Sequence, residues 1–367
     1  MTTTAQAPIL PTYARLGVTF VEGDGAWLVD ADGKRYLDLV AGIAVVGLGH
    51  RNPAPLAAAR DQLDKLWHVS NLYWTQPMQV LAAKLSERFG GAQAFFCNSG
   101  AESVEAAIKW ARKATGRPEI VALDGSFHGR TLGALSVTGQ PAKRAAFEPL
   151  VPGARFGLQH VGAKTAAILL EPVQGEGGVH PLPEETLEQA RALADEHGAL
   201  LVLDEVQTGV GRTGAFFAWQ RYGVRPDAVT LAKGLANGLP IGALLVSNGA
   251  PTGFEPGDHA STFGGNPVAC AAACAVVDAI DDELLAHVQA VSAQLSEGLA
   301  RFGDVRGLGL LLAVELERPV QGVVEAALAH GLVVGSAGEY TLRLTPPLTL
   351  TFDEAAQALD ILSEVFA

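Results

Sequence analysis

The chain has 367 residues, a formal net charge of −13, 49% apolar residues and 18% charged ones. That length exceeds what one core usually fills, so a large unit with a smaller one attached is expected, and the apolar share excludes a disordered or fibrous chain. The negative balance disfavours nucleic acid, whose affinity rests on lysines and arginines neutralising phosphates.

Met1 to Pro11 shows no basic start followed by an apolar run, and no stretch reaches membrane-spanning length without polar interruption. A cytoplasmic protein without membrane contact is therefore expected. Trp27 to Leu39 alternates around Asp32-Gly33 and reads as a hairpin. From Leu81 to Val246 apolar runs alternate with amphipathic stretches: Ala94–Cys97, Ile120–Leu123, Ala167–Leu170, Leu200–Leu203 and Ala243–Val246 read as buried strands. Runs without polar alternation imply a mainly parallel sheet covered on both faces. Glu102 to Lys113 gathers Val104, Ile108 and Ala111 on one helical face, and Leu187 to His197 does the same with Leu187, Ala190, Leu193 and Ala194. That is βαβ architecture.

Past Ala271 the pattern changes to an Ala-rich helix, a long helix from Leu284 to Phe302, a strand from Gly309 to Leu316 and a last helix from Phe352. The expected division is an N-terminal segment over 1–45 packing with the small domain, a large domain over 46–270 and a small α+β domain over 271–367. The three cysteines, Cys97, Cys270 and Cys274, lack metal-type pairing and read as packed, reduced thiols. His50, His68 and His128 are scattered without ligand spacing, so structural roles are expected and no metal.

Ligands of α/β sheets sit beyond the carboxyl ends of the strands, so the residues following each apolar run carry the chemistry. After Cys97, Asn98-Ser99-Gly100-Ala101-Glu102 leads into a helix whose free N–H groups make a phosphate cup; an N-capping serine explains the same residues. After Leu203 comes Asp204, a carboxylate at the end of an apolar strand, which is either a cap or a buried charge needing a partner. Val229 to Pro240 sets Lys233 among small and apolar residues. Desolvation there would favour the neutral amine, the form that condenses with an aldehyde; an exposed loop lysine is the plainer alternative.

Taken in order, Asn98–Glu102, Phe127-His-Gly-Arg130-Thr, Glu171-Pro-Val-Gln-Gly-Glu176-Gly-Gly, Asp204-Glu-Val-Gln207-Thr-Gly, Lys233 and Ser261-Thr262-Phe-Gly-Gly-Asn-Pro267 make a pattern that resembles the class III aminotransferases, within the fold-type I pyridoxal-phosphate (PLP) enzymes. The resemblance covers nearly the whole chain and implies a seven-stranded, mainly parallel α/β domain with a smaller α+β domain. It implies that Lys233 holds PLP covalently and later moves the substrate proton, with Asp204 on the pyridine nitrogen and Gln207 on the ring hydroxyl. Phe127 and Val206 would flank the ring, and Ser99, Gly100 and Ala101 would hold the phosphate, completed by Thr262 of a neighbouring copy in a homodimer.

The same resemblance gives Arg130 the distal carboxylate of the substrate, Arg343 the proximal carboxylate of glutamate or 2-oxoglutarate, Ser261 a substrate contact, and Glu176 the role of a switch that covers Arg343 when a terminal-amine donor enters. Phe127–Gly133, Gln174–Gly178 and Arg306–Leu310 point to the acetylornithine-type subfamily of arginine biosynthesis. The alternatives are a carrier-protein-linked lysine aminotransferase, ornithine and 4-aminobutyrate aminotransferases, lyases or mutases of the class, and a non-catalytic protein that keeps the fold. Two departures from the family pattern, Val46 and Asn52, are expected near the substrate mouth.

Overall fold

A computed structural model describes residues 8–367. Residues 1–7, the start of the expected N-terminal segment, lie outside the described residues. At its centre is a seven-stranded sheet in the order Ala92–Cys97, Gly242–Ser247, Ala228–Leu231, Leu200–Asp204, Thr165–Leu170, Glu119–Ala122, Ala154–Phe156. Every neighbouring pair is parallel except those made by Gly242–Ser247, which runs antiparallel to both its partners. The apolar run of that strand looks like the others, because burial on two faces and not strand direction sets the pattern.

Successive residues of the strands feed two different cores. Ala167, Leu169, Leu200 and Val202 pack with Val104, Ile108 and Ala111 of the helix Gly100–Thr115 on one face. Ile168, Leu170, Leu201 and Leu203 join the larger core with Leu187, Ala190 and Ala194 of the helix Glu184–His197 on the other. Trp110, fully buried, anchors the first helix and donates its indole N–H to Pro251 O at 3.0 Å. The two helices expected from periodicity are thus the two covers of the sheet.

The Asp32-Gly33 hairpin forms as Trp27–Asp30 and Arg35–Asp38, and Leu332–Val333 pairs parallel to the latter. Trp27 Nε1 also donates to Glu354 Oε1 at 2.8 Å, so the beginning of the chain is tied to its last helix, Phe352–Phe366. The single strand expected over Gly309–Leu316 is Leu311–Glu315, and a strand not foreseen, Asp304–Leu308, pairs with it. Thr341–Leu344 lies on its other side, so Arg306, Ala313 and Arg343 form one cross-strand row.

Asn52, expected near the substrate mouth, does not line the central cavity and caps a helix. Its side chain accepts from Ala54 N at 3.1 Å at the start of Pro53–Leu63 and donates to Leu48 O at 3.0 Å. Val46 does not line the central cavity, but its neighbour Val45 does.

Candidate active site

A cavity of 390 Å³ opens at the carboxyl ends of the large sheet. Asp204 is the last residue of its strand, Glu171 follows Leu170, Asn98 follows Cys97, and Lys233 stands two residues past Leu231. These positions converge because parallel strands deliver their following loops to one edge. The cavity brings together Ser99, Gly100, Ala101, Phe127, Arg130, Glu176, Asp204, Val206, Gln207 and Lys233, all singled out in the sequence.

Ser99 caps the 16-residue helix Gly100–Thr115 by accepting Glu102 N at 3.2 Å, and the N–H groups of Gly100 and Ala101 have no protein acceptor among the described residues. The serine is a cap, and two donors at a positive helix end still face the cavity. A Cβ on Gly100 would lie 2.6 Å from Val206 Cγ1, so the helix start and Val206 form one continuous wall.

Asp204 is buried and fully engaged. Its Oδ1 accepts Val206 N at 3.1 Å and Thr230 Oγ1 at 3.0 Å, and its Oδ2 lies 2.7 Å from His128 Nδ1. Burial alone would push His128 down, but the carboxylates of Asp204 and Glu171 outweigh it and raise the imidazole above its ordinary value. A protonated His128 donates its Nδ1–H to Asp204 Oδ2 in a charge-assisted hydrogen bond that fixes the carboxylate's orientation. Among the described residues His128 Nε2 has no hydrogen-bond partner. The sequence placed His128 among scattered histidines, whereas it lines the cavity and touches its central carboxylate.

Glu171 is a second residue the sequence reading left without a role. It is buried in the cavity wall, its Oε2 accepting Phe127 N at 2.8 Å and its Oε1 accepting Gly175 N at 3.3 Å. Burial pushes its carboxyl up to about 7, with His128 opposing. Lys233 has a left-handed backbone, φ 39°. Burial brings its ammonium down to about 8, partly resisted by Glu176 and Asp204 and assisted by Arg343. The amine is thus poised between charged and neutral near physiological pH.

At the outer end, Arg343 donates from a guanidinium nitrogen to Glu176 Oε1, and the same Arg343 nitrogen lies 3.4 Å from Gly175 O. Gln207 Nε2 also reaches Glu176 Oε1 at 3.5 Å. Burial disfavours the charged Glu176, but Arg343 and Lys233 outweigh it and lower its carboxyl. Arg130 is exposed, with its guanidinium carbon 5.5 Å from the centre of the Phe127 ring. Ser261 and Thr262 line a neighbouring hollow instead, and Asn98, which lines both, donates from Nδ2 to Ser261 Oγ at 3.0 Å. Among the described residues no three His, Cys, Asp or Glu side chains come together to hold a metal ion.

The family model Aminotransferase class-III matches residues 11–366. The chain is 48% identical to the acetylornithine aminotransferase of Corynebacterium efficiens, over 98% of this chain and 95% of that one. The solved N-acetylornithine aminotransferase of Stenotrophomonas maltophilia superposes with a TM-score of 0.83 at 37% identity, covering 96% of each chain. A PLP-bound amine transaminase from an uncultivated Pseudomonas species superposes with a TM-score of 0.90 at 31% identity, covering 99% of this chain and 97% of that one. With a matching sheet, a lysine and carboxylates at its strand ends, and a family match over nearly the full length, the chain belongs to the class III aminotransferases, which work with pyridoxal phosphate.

Proposed function

We propose that this enzyme moves the terminal amino group of N-acetylornithine to 2-oxoglutarate, giving N-acetylglutamate semialdehyde and glutamate, the transfer made in arginine biosynthesis. The observation that carries the two-donor reading is the ion pair between half-buried Glu176 and buried Arg343. Glutamate presents a carboxylate beside its reacting carbon, whereas a terminal amine does not. A guanidinium left unpaired in this wall would be costly, so a carboxylate able to cover or release it serves both donors. The relatives that carry the acetylornithine name support that donor over lysine, ornithine or 4-aminobutyrate.

The cavity fits PLP. Gly100 and Ala101 offer unpartnered N–H groups at a helix start, Lys233 offers an amine shifted toward neutrality, and Asp204 ends its strand as a buried carboxylate. When bound, PLP supplies an electron sink for the charge that develops on the substrate carbon. Lys233 would hold the cofactor through its neutral amine and, once freed by the incoming donor, would carry the substrate proton. Asp204, oriented by His128, would hold the ring nitrogen, and Gln207 would take the ring oxygen. Phe127 and Val206, both lining the cavity, would flank the ring and exclude water from it. Arg130 receives the distal carboxylate of the substrate and Ser261 assists it, while Arg343 receives the proximal carboxylate of glutamate.

A homodimer completes the site. Thr262 is exposed and lies outside this chain's own cavity, which suits a phosphate contact given to a second copy. Trp67, Leu72, Tyr73, Trp74 and Phe263 are exposed, at 68, 86, 66, 79 and 61%, a density of apolar side chains that calls for a partner surface. We place the enzyme in the cytoplasm, in keeping with free Cys97, Cys270 and Cys274 and with the absence, among the described residues, of any helix long and apolar enough to cross a membrane. We divide it at residues 45 and 270, as 1–45, 46–270 and 271–367.

A single-turnover panel of N-acetylornithine, ornithine, 4-aminobutyrate and carrier-linked lysine tests the assignment. N-acetylornithine is expected to convert the bound cofactor fastest; faster conversion by any other donor rejects it. A protein that stays colourless after reconstitution with PLP would support the non-catalytic alternative.

A further inference from the structure

We propose that Arg306 is a positioning residue for Glu176, clamping the far end of the Gly175–Gly178 segment so that the carboxylate rests on Arg343 by default. The inference rests on the reading of the Glu176–Arg343 pair as a two-donor switch and adds what sets its resting position. Arg306 Nε donates to Gly178 O at 2.8 Å. Arg343 meets the other end of the same segment, at Gly175 O and at the Glu176 carboxylate.

The two arginines reach the segment in concert because they share one row of the C-terminal sheet. Arg306 faces Ala313, and Ala313 faces Arg343 on the next strand. Directly opposed residues present their side chains to the same sheet face. From the same strand Ala313 and Leu311 pack on Val173 and Val179, which bracket the segment in sequence. Arg306 is itself fixed, donating to Glu315 Oε2 at 2.7 Å and to Thr341 Oγ1 at 3.2 Å.

The segment is seated too closely to drift. A Cβ on Gly175 would fall 1.7 Å from Gln207 Oε1, and Gly178 has φ +117° with Arg306 NH2 only 3.4 Å from where its Cβ would be. Backbone held at both ends leaves rotation of the Glu176 side chain as the motion that uncovers Arg343. Releasing the Arg306 end lets the whole segment lift, weakens the pair, and so favours glutamate over the terminal-amine donor.

The test compares single-turnover kcat/KM of the holoenzyme for N-acetylornithine and for glutamate. Arg306→Met is expected to lower the ratio of the first to the second about tenfold, within the usual range of coupling between sites. Arg306→Lys is expected to recover part of the ratio, and Glu315→Gln to shift it the same way by a smaller factor. In a Glu176→Ala background Arg306→Met should leave the ratio unchanged, since the coupling then has nothing to act on.

Equal loss in both half-reactions, or an unchanged ratio, overturns the clamp, and so does a shift that persists without Glu176. If Arg306→Met does not yield folded, cofactor-binding protein, the Lys and Glu315→Gln variants decide, and an unchanged ratio in both overturns it. A Glu176→Ala enzyme with a normal ratio would remove the switch reading beneath the proposal. A shifted ratio there, with none in the Arg306 variants, would remove the clamp alone.

Discussion

The inner and outer ends of the cavity are built on different principles. At the inner end, Asp204 sits on a central strand and takes hydrogen bonds from Val206, Thr230 and His128, so nothing nearby offers it another arrangement. At the outer end, Glu176 and Arg343 come from segments 167 residues apart and meet through a glycine-bounded turn on one side and an antiparallel strand on the other. The first end is over-determined and suits chemistry that must not vary between half-reactions. The second is a single ion pair that can open, which suits a site obliged to accept two unlike donors.

The comparison breaks most completely if the inner end is dispensable. Lys233→Ala is expected to lose the visible absorbance of the bound cofactor and to lower turnover by at least about 10⁴-fold, because both covalent attachment and proton transfer leave with the amine. Stopped-flow absorbance with N-acetylornithine checks it, and residual conversion within tenfold of wild type would remove Lys233 from the reaction.

Glu176→Ala separates the two ends by asymmetry. Uncovering Arg343 costs only the half-reaction in which no substrate carboxylate replaces Glu176, so the N-acetylornithine half-reaction should fall about 100-fold relative to the glutamate one, which is ~2.7 kcal/mol of differential stabilisation. Equal loss in both would make the outer end as rigid as the inner.

These expectations were unevenly legible in the sequence. Asp204 and Lys233 announce themselves by following apolar strands, a rule that needs only local pattern. The same rule points at Glu171, which follows a fully buried strand, but its significance lies in the backbone N–H groups of Phe127 and Gly175, which only folding brings near. His128 pairs with a residue 76 positions away, so its place beside Asp204 has no local signature. Glu176 and Arg343 became meaningful through family resemblance alone. The capping role of Asn52 was legible locally, since an Asn followed by Pro53 is a helix-start pattern.

A titration sharpens the inner end further. With its ammonium brought down to about 8, Lys233 is neutral in roughly one molecule in ten at pH 7, against far fewer for an ordinary lysine. Covalent attachment of PLP to the apo enzyme should therefore quicken about tenfold from pH 7 to a plateau above pH 8. The stability effect has a definite sign. Between about 8 and the model-peptide value of 10.5 the unfolded chain keeps the lysine proton that the folded one has lost, so the Lys233 contribution to folding becomes more favourable as pH rises through that window. Attachment that keeps accelerating to pH 10 would show that burial does not depress this amine.

The smallest effect lies outside both ends and tests whether Asn52 belongs to the site at all. Its side chain caps Pro53–Leu63 through Ala54 N and ties the helix start back to Leu48 O. Asn52→Ala removes an N-cap, worth about 1 kcal/mol, and in a chain of this length that lowers the melting temperature by only a few degrees. Leu48 keeps a second tie, since its own N–H donates to Asn237 Oδ1 at 2.8 Å, and Asn237 lies four residues beyond Lys233. The backbone beneath the cavity should therefore hold, and the preference among amine donors should stay within twofold of wild type. A changed donor preference with an unchanged melting temperature would return Asn52 to the substrate mouth, because a cap alters stability without reading the substrate.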